Sequence, residues 1–397
     1  MLGSDFLRFA LLPALLVAGS AQGATLRDAL EQAWAVQAGQ LAARDQQYAA
    51  QVSASQAWTP AAPTVGVFNS TDQLNGDHGR REWEVAVAAP IWLPGQRQQV
   101  QAVASAEQAA FNGRSTLGRL QLAGQLRESW WAVRFAEVDL LSATRQLDEA
   151  QALAEDVRLR VKAGELAALD ENQANIAIQQ AKRQQGEARL ALRRSREDFT
   201  LLTRGASVPE QPEVLGTPVA LEQHPLLRSL QDATRSAQAR LEQATGDTRD
   251  APELALSYTS ERDGADDPYR GRIKLGISIP FGTQSRNQPR IAAANADWIE
   301  AQTLRDLESR RISAELRAAE EALAQSLQQQ SLVGEELRLI KQRTAWISQG
   351  FRLGQFDLLS RIRSQREQLD AQAEVARAEH AVGRAISRVN QAAGVLP

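Results

Sequence analysis

A heptad seam runs through this sequence for longer than a compact domain can hold. Leu126, Ser129, Val133, Ala136, Leu140, Ala143, Leu147, Ala150, Ala154, Val157 and Val161 follow alternating steps of three and four. That spacing marks helices wound together along an apolar stripe. Adding 190 to each number gives Leu316, Ala319, Leu323, Ser326, Gln330, Val333, Leu337, Ile340, Thr344, Ile347 and Phe351, with Gln330 and Thr344 as polar exceptions. The first seam lies in an Ala/Gln-rich stretch that predicts a single helix over 96–163, which at 1.5 Å per residue is ~100 Å long. A chain of 397 residues with two such helices has to build an elongated object.

The repeat at 190 extends beyond the seams. "ALEQ" at 29–32 returns at 220–223, Pro63 as Pro252, Pro90 as Pro280 and Gly164 as Gly354. Two copies of one structural unit follow from this. The first copy, 24–206, reads as a helix, strands at 63–71 and 82–91, a long helix at 96–163 and a return helix at 167–204. The second, 220–397, reads as a helix, strands at 253–261 and 272–280, a long helix at 287–353 and a return helix at 357–393. Between them "SVPEQPEVLGTP" makes 207–219 a connector.

Each strand has the length of a tilted membrane-spanning β-strand. In 82–91, Trp83, Val85, Val87 and Ala89 share one face, and Glu82, Glu84, Ala86 and Ala88 share the other. In 272–280, Ile273, Leu275, Ile277 and Ile279 oppose Arg272, Lys274, Gly276 and Ser278. Apolar toward lipid and polar toward water is the pattern of an outer-membrane barrel, although a half-exposed soluble sheet alternates in the same way. Trp58, Trp83, Trp92, Tyr269 and Phe281 stand at strand ends, as membrane girdle aromatics do. Four strands cannot close a barrel, and an open edge in lipid leaves backbone groups without partners. Two chains would give eight strands, too narrow for an open channel; three give twelve. The expected fold class is therefore mainly α with a shared membrane β-barrel on a coiled-coil tube. Pro90 and Pro280 mark the passage from strand to helix.

Composition excludes much else. There is no Cys, and the single Met is Met1, which removes disulfides and soft thiolate or thioether metal sites. Basic and acidic residues number 45 and 48, so no polyelectrolyte attraction to nucleic acid is expected. No phosphate loop, HExxH, GxSxG or Cys nucleophile is present. An enzyme, a cofactor and a catalytic site are not expected. His78, His224 and His380 are far apart in sequence and do not suggest a metal site. Arg8, the apolar run 9–17 and the small residues of "AGSAQGA" read as an export signal over 1–23.

With these features in place, "PIWLPGQR" (90–97) and "IPFGTQSRNQPRIAAA" (279–294) make the chain resemble the TolC-like outer-membrane efflux proteins, over about 25–397. Within them it looks most like the heavy-metal CzcC/CusC branch, on Arg286, Asn287 and Gln288 after a Pro-ended strand and Arg97 at the matching place. The resemblance implies a homotrimer in outer-membrane lipid, a twelve-stranded barrel and an α-helical tunnel. It also implies a periplasmic adaptor and a proton-driven RND-type inner-membrane pump as partners. The hairpin tips, "RVKAGELAALDE" (160–171) and "GFRLGQFDLLSR" (350–361), would form the periplasmic entrance, with Lys162, Gly164, Leu166, Leu169, Arg352, Gly354, Phe356 and Leu359 shaping the adaptor contact. Asp170 and Asp357 would recur three times in a trimer, as an acidic ring or as simple helix caps. The expected function is a passive exit duct for divalent heavy-metal cations. Two alternatives stand beside it: the same duct for drugs or other small molecules, and a periplasmic coiled-coil adaptor or scaffold.

Overall fold

The structure, a computed structural model, describes residues 25–397 except 74, 76, 77, 248, 282 and 283. The expected export signal over 1–23 and the side chain of Arg286 lie outside the described residues.

In chain order the elements are α1 (Leu26–Ser55), β1 (Thr64–Thr71), β2 (Arg81–Pro90), α2 (Gln96–Lys162) and α3 (Ala168–Thr203), then α4 (Pro225–Gly246), β3 (Glu253–Arg262), β4 (Arg270–Ser278), α5 (Gln284–Arg352) and α6 (Leu358–Ala392). A short 3₁₀ turn, Leu221–Gln223, precedes α4. The two longest helices have 67 and 69 residues. Among the described residues no helix is long and apolar enough to cross a membrane.

Every position of both heptad seams is buried or half-buried. The polar exception Thr344 is buried, and its hydroxyl accepts from the Ser364 hydroxyl at 2.8 Å, so it costs no orphaned polar group. Below the sheet the helices pack as α3 on α2, α2 on α6 and α6 on α5; nearer the sheet α1 and α4 pack on α2, and α4 on α5. α3 and α5 are thus the outer edges of the lower layer.

Both long helices end in the same way. The Glu165 N–H donates to the Arg160 carbonyl at 2.9 Å and Gly164 sits at φ +78°. The Gln355 N–H donates to the Gly350 carbonyl at 2.8 Å and Gly354 sits at φ +73°. Only glycine takes that left-handed conformation without a steric cost.

The four strands form one antiparallel sheet in the order β1–β2–β3–β4. Pro90 ends β2, while β4 stops at Ser278, so Pro280 lies two residues beyond its strand. The helix that follows begins earlier than expected, at Gln284, and carries Pro289 within it.

Candidate functional site

The sheet has two unlike faces. Cross-strand rows Val65–Val87–Leu256–Leu275 and Val67–Val85–Tyr258–Ile273 line one of them, extended by Trp83, Leu254 and Ile277. These side chains are bare: Leu256 is 52% exposed and Leu275 73%. The opposite face carries Ser257, Thr259 and Glu261 of β3, all buried. A soluble sheet covers its apolar face; here that face is bare, and the buried side chains of the sheet are polar ones of β3. β3 lies between β2 and β4, whose side chains shelter its polar ones, while the polar side chains of β4 itself stay exposed.

The aromatics divide. Trp83 stands on the bare apolar face; Trp58 and Phe281 are strongly exposed; Tyr269 is half-exposed under the Arg262 guanidinium, 5.3 Å from its centroid. Trp92 lies past the end of β2, half-buried, with its indole N–H donated to the Ala57 carbonyl at 3.1 Å. It fastens the helical part rather than lining the strand.

A polar collar joins sheet to helices. Arg97 donates to the Gln56 carbonyl at 2.6 Å, tying the start of α2 to the end of α1. Asn287 does the same for α5 and α4, through the Ala244 and Asp247 carbonyls at 2.7 Å each. Asp247 also accepts from Gln96 and Arg290, both at 3.1 Å. Gln288 is exposed beside them.

The waist holds a buried ion pair that sequence reading missed. Arg127 is 2% exposed and grips Glu213 of the connector twice, at 2.7 and 2.8 Å, and also donates to Gln391 and to the Val395 carbonyl. Asn390 donates to Glu213 at 3.0 Å and accepts the Gly216 N–H at 2.8 Å. The Trp130 indole donates to the Pro209 carbonyl at 2.8 Å. The connector is a strap lashed to α2 and α6.

At the same level His224 caps α4, its Nδ1 accepting the Leu226 N–H at 3.2 Å. Gly394 packs so close that a Cβ there would lie 2.7 Å from the imidazole. Burial pushes the His224 pKa below its ordinary value, against the Ala392 backbone and Glu315, which favour the proton. The unfolded imidazole therefore binds its proton first. Stability held at neutral pH is expected to fall as pH drops through about 6.5 toward the lower folded value. Thermal unfolding followed against pH checks this; His224→Asn keeps a cap acceptor and should lessen the dependence, leaving the share of His380, whose pKa burial lowers in the same way.

At the tips, Phe351 of α5 is buried with Leu153, Val157, Ala174 and Leu358. The guanidinium groups of Arg160 and Arg361 lie over its ring at 5.1 and 4.9 Å. Asp156 accepts from Arg361 at 3.1 Å and faces Arg160 at 3.5 Å. The two hairpins of one chain are clasped here. Leu166 packs against this cluster; Lys162, Leu169, Arg352, Phe356 and Leu359 are exposed around it. Asp170 and Asp357 both cap α-helices but at inequivalent positions. Asp170 accepts the Ala167 N–H at 3.1 Å from the third residue of α3, whereas Asp357 precedes α6 and accepts the Ser360 N–H at 2.9 Å. The Ser360 hydrogen bonds hold the Asp357 pKa below the usual aspartate value, so it stays ionised. Among the described residues no three His, Asp or Glu side chains are grouped to hold a metal.

The chain matches no protein-family model, and no curated protein resembles it in sequence. Solved structures do share its fold. CusC, described for conformational changes accompanying folding and transmembrane channel formation, matches with a TM-score of 0.77 and 15% identity, over 93% of this chain and 92% of that one. The outer membrane protein VceC of Vibrio cholerae matches with a TM-score of 0.76 and 13% identity, over 94% and 97%. The MtrE outer membrane channel of Neisseria gonorrhoeae matches with a TM-score of 0.75 and 15% identity, over 93% and 89%. The fold is that of these outer-membrane channels. At such identities the likeness is one of architecture.

Proposed function

We propose that this chain is a TolC-like outer-membrane efflux duct, working as a homotrimer in the outer membrane. The observation that carries the reading is the bare apolar face on a sheet whose buried side chains, Ser257, Thr259 and Glu261, are polar ones on the other face. β1 and β4 are both edges, and in lipid an edge must find a partner. Joining β4 of one copy to β1 of the next closes twelve strands with three copies. A soluble adaptor or scaffold would have no use for that face.

The helices support the same closure. Leu169, Ile176, Arg183 and Leu190 climb the outer edge of α3 in steps of seven, and all are exposed. Leu353, just past the end of α5, and Trp346, Leu339 and Leu332 within it follow the same steps, also exposed. Counted up from the tips, the two stripes match level for level. They make a coiled-coil seam between copies.

The tips form the periplasmic entrance. Lys162, Gly164, Leu166, Leu169, Arg352, Gly354, Phe356 and Leu359 meet the adaptor, and an RND-type pump loads the tube. Asp170 and Asp357, three of each, give the entrance an acidic rim. Divalent heavy-metal cations are the cargo suggested by the phrase around Arg286, Asn287 and Gln288. Asn287 itself serves the collar, so cargo choice rests with the pump. A second cargo reading, drugs or other small organic molecules, is favoured by the mixed charges of the sheet's polar face.

The test is reconstitution of the purified protein in planar bilayers. Discrete conductance steps are expected, and a protein that stays water-soluble and never enters bilayers contradicts the reading. Arg361→Ala removes a half-buried ion pair of about 1 kcal/mol and a cation–π contact of about 0.5–1 kcal/mol in each of three copies. Conductance of this variant is expected to rise several-fold as the clasp loosens. Unchanged conductance would show that the clasp does not hold the entrance.

A further inference from the structure

The polar face of the sheet is charged in an ordered way. On that face β1 presents Thr64, Gly66, Phe68 and Ser70, none of them charged. β2 presents Glu82 and Glu84, and β4 presents Arg270, Arg272 and Lys274. β3 lies between, with Ser257, Thr259 and Glu261. Glu261 accepts from Arg272 and, at 2.8 Å, from Arg80. The register makes three rows: Ser70–Glu82–Glu261–Arg270, Phe68–Glu84–Thr259–Arg272 and Gly66–Ala86–Ser257–Lys274. Over these rows Glu82, Glu84 and Glu261 balance Arg270, Arg272 and Lys274. Glu253 stands below them, at the other end of β3.

We infer that the pore wall is charge-striped, with acidic β2 and basic β4 alternating around the barrel, and that it favours solutes carrying both charges over simple ions of either sign. This rests on the three-copy barrel. The acidic and basic stripes of one copy lie two strands apart, about 10 Å at the usual strand spacing. Going the other way, from β4 across the neutral β1 of the next copy to its β2, the distance is again two strands. With Glu261 of β3 counted beside the two glutamates of β2, the acidic side of each copy matches the three basic residues of β4, so over these rows no net potential concentrates one sign of ion on the axis. Near the wall the fields do not cancel. A zwitterionic or otherwise dipolar organic molecule finds a complementary stripe for each end. A metal cation is neither gathered nor refused.

The chain has no cysteine, so a single introduced thiol reports cleanly. Gly276 lies on the polar face one step from Lys274, and a side chain there meets open space. Gly276→Cys is treated in intact cells with cationic, anionic and zwitterionic methanethiosulfonate reagents of similar size. Access comes from outside, so the state of the tips has no bearing. With rates corrected for reaction with a free thiol, the cationic and anionic reagents are expected to agree within about threefold, with the zwitterion faster than both. Adding Arg272→Glu and Lys274→Glu should tilt the ratio roughly tenfold toward the cation, and Glu82→Lys with Glu84→Lys about as far toward the anion. A zwitterion no faster than the singly charged reagents, a strong bias without these reversals, or ratios that neither reversal moves, overturns the inference. Leu275→Cys, on the other face, separates this from failure of the barrel. If it reacts as fast as Gly276→Cys, the sheet is wet on both sides and the duct reading itself fails.

Discussion

Replacing Arg127 with alanine is expected to cost about 3–5 kcal/mol per chain, the range for breaking a buried ion pair from one side. The truncation leaves the Glu213 carboxylate in a site where both partners were nearly inaccessible, with side chains 3% and 9% exposed. Gln391 and the Val395 carbonyl lose a donor as well. Glu213→Gln should cost less, because the neutral amide can still accept from the guanidinium and needs less compensation. Denaturant titration of the detergent-solubilised protein checks both. Equal, small losses for the two variants would mean that the strap is not bound through this pair. The consequence would be felt beyond the waist, since the strap fixes α2 against α6 above a stretch joined by half-buried pairs such as Asp139–Arg377 and Asp156–Arg361.

Leu256→Arg should remove the protein from the membrane. Leu256 sits in the row Val65–Val87–Leu256–Leu275, at the middle of the bare face. Arginine facing lipid at the bilayer midplane costs about 2–4 kcal/mol, and three copies each pay it in one barrel. Gly276→Arg adds the same charge on the polar face, in open space, and should insert normally. Outer-membrane fractionation reads the difference. Equal insertion of the two variants would mean that the apolar face does not meet lipid.

The fold was legible in the sequence where local periodicity carries it. Alternation at Trp83, Val85 and Val87 is a property of the strand itself, and the sevens of Leu126 to Val161 are a property of the helix. The strand expected at 272–280 lies at Arg270–Ser278, because alternation of Ile277 and Ile279 reads on past the last ladder pair. The waist was not legible. Arg127 follows the seam residue Leu126 and looks like any solvated helix charge; its partner Glu213 is 86 residues away in an irregular segment. Pro and Gly content marked 207–219 as non-helical but says nothing of what it docks against. For Trp92, aromatic type and position mark a strand end but do not reveal that its indole N–H is donated to the Ala57 carbonyl. That Asp170 and Asp357 cap in different ways was not legible either, since capping depends on where each helix starts to within one residue.

Disulfide trapping between Trp346→Cys and Ile176→Cys, both in one chain, tests the central claim most directly. The two positions lie on opposite edges of the lower helix layer, so a bond between them has to join different copies. Head-to-tail closure of three copies predicts a ladder in cell membranes that ends at covalent trimer. A ladder ending at dimer, one climbing without limit, or no linked species at all would contradict a three-chain duct.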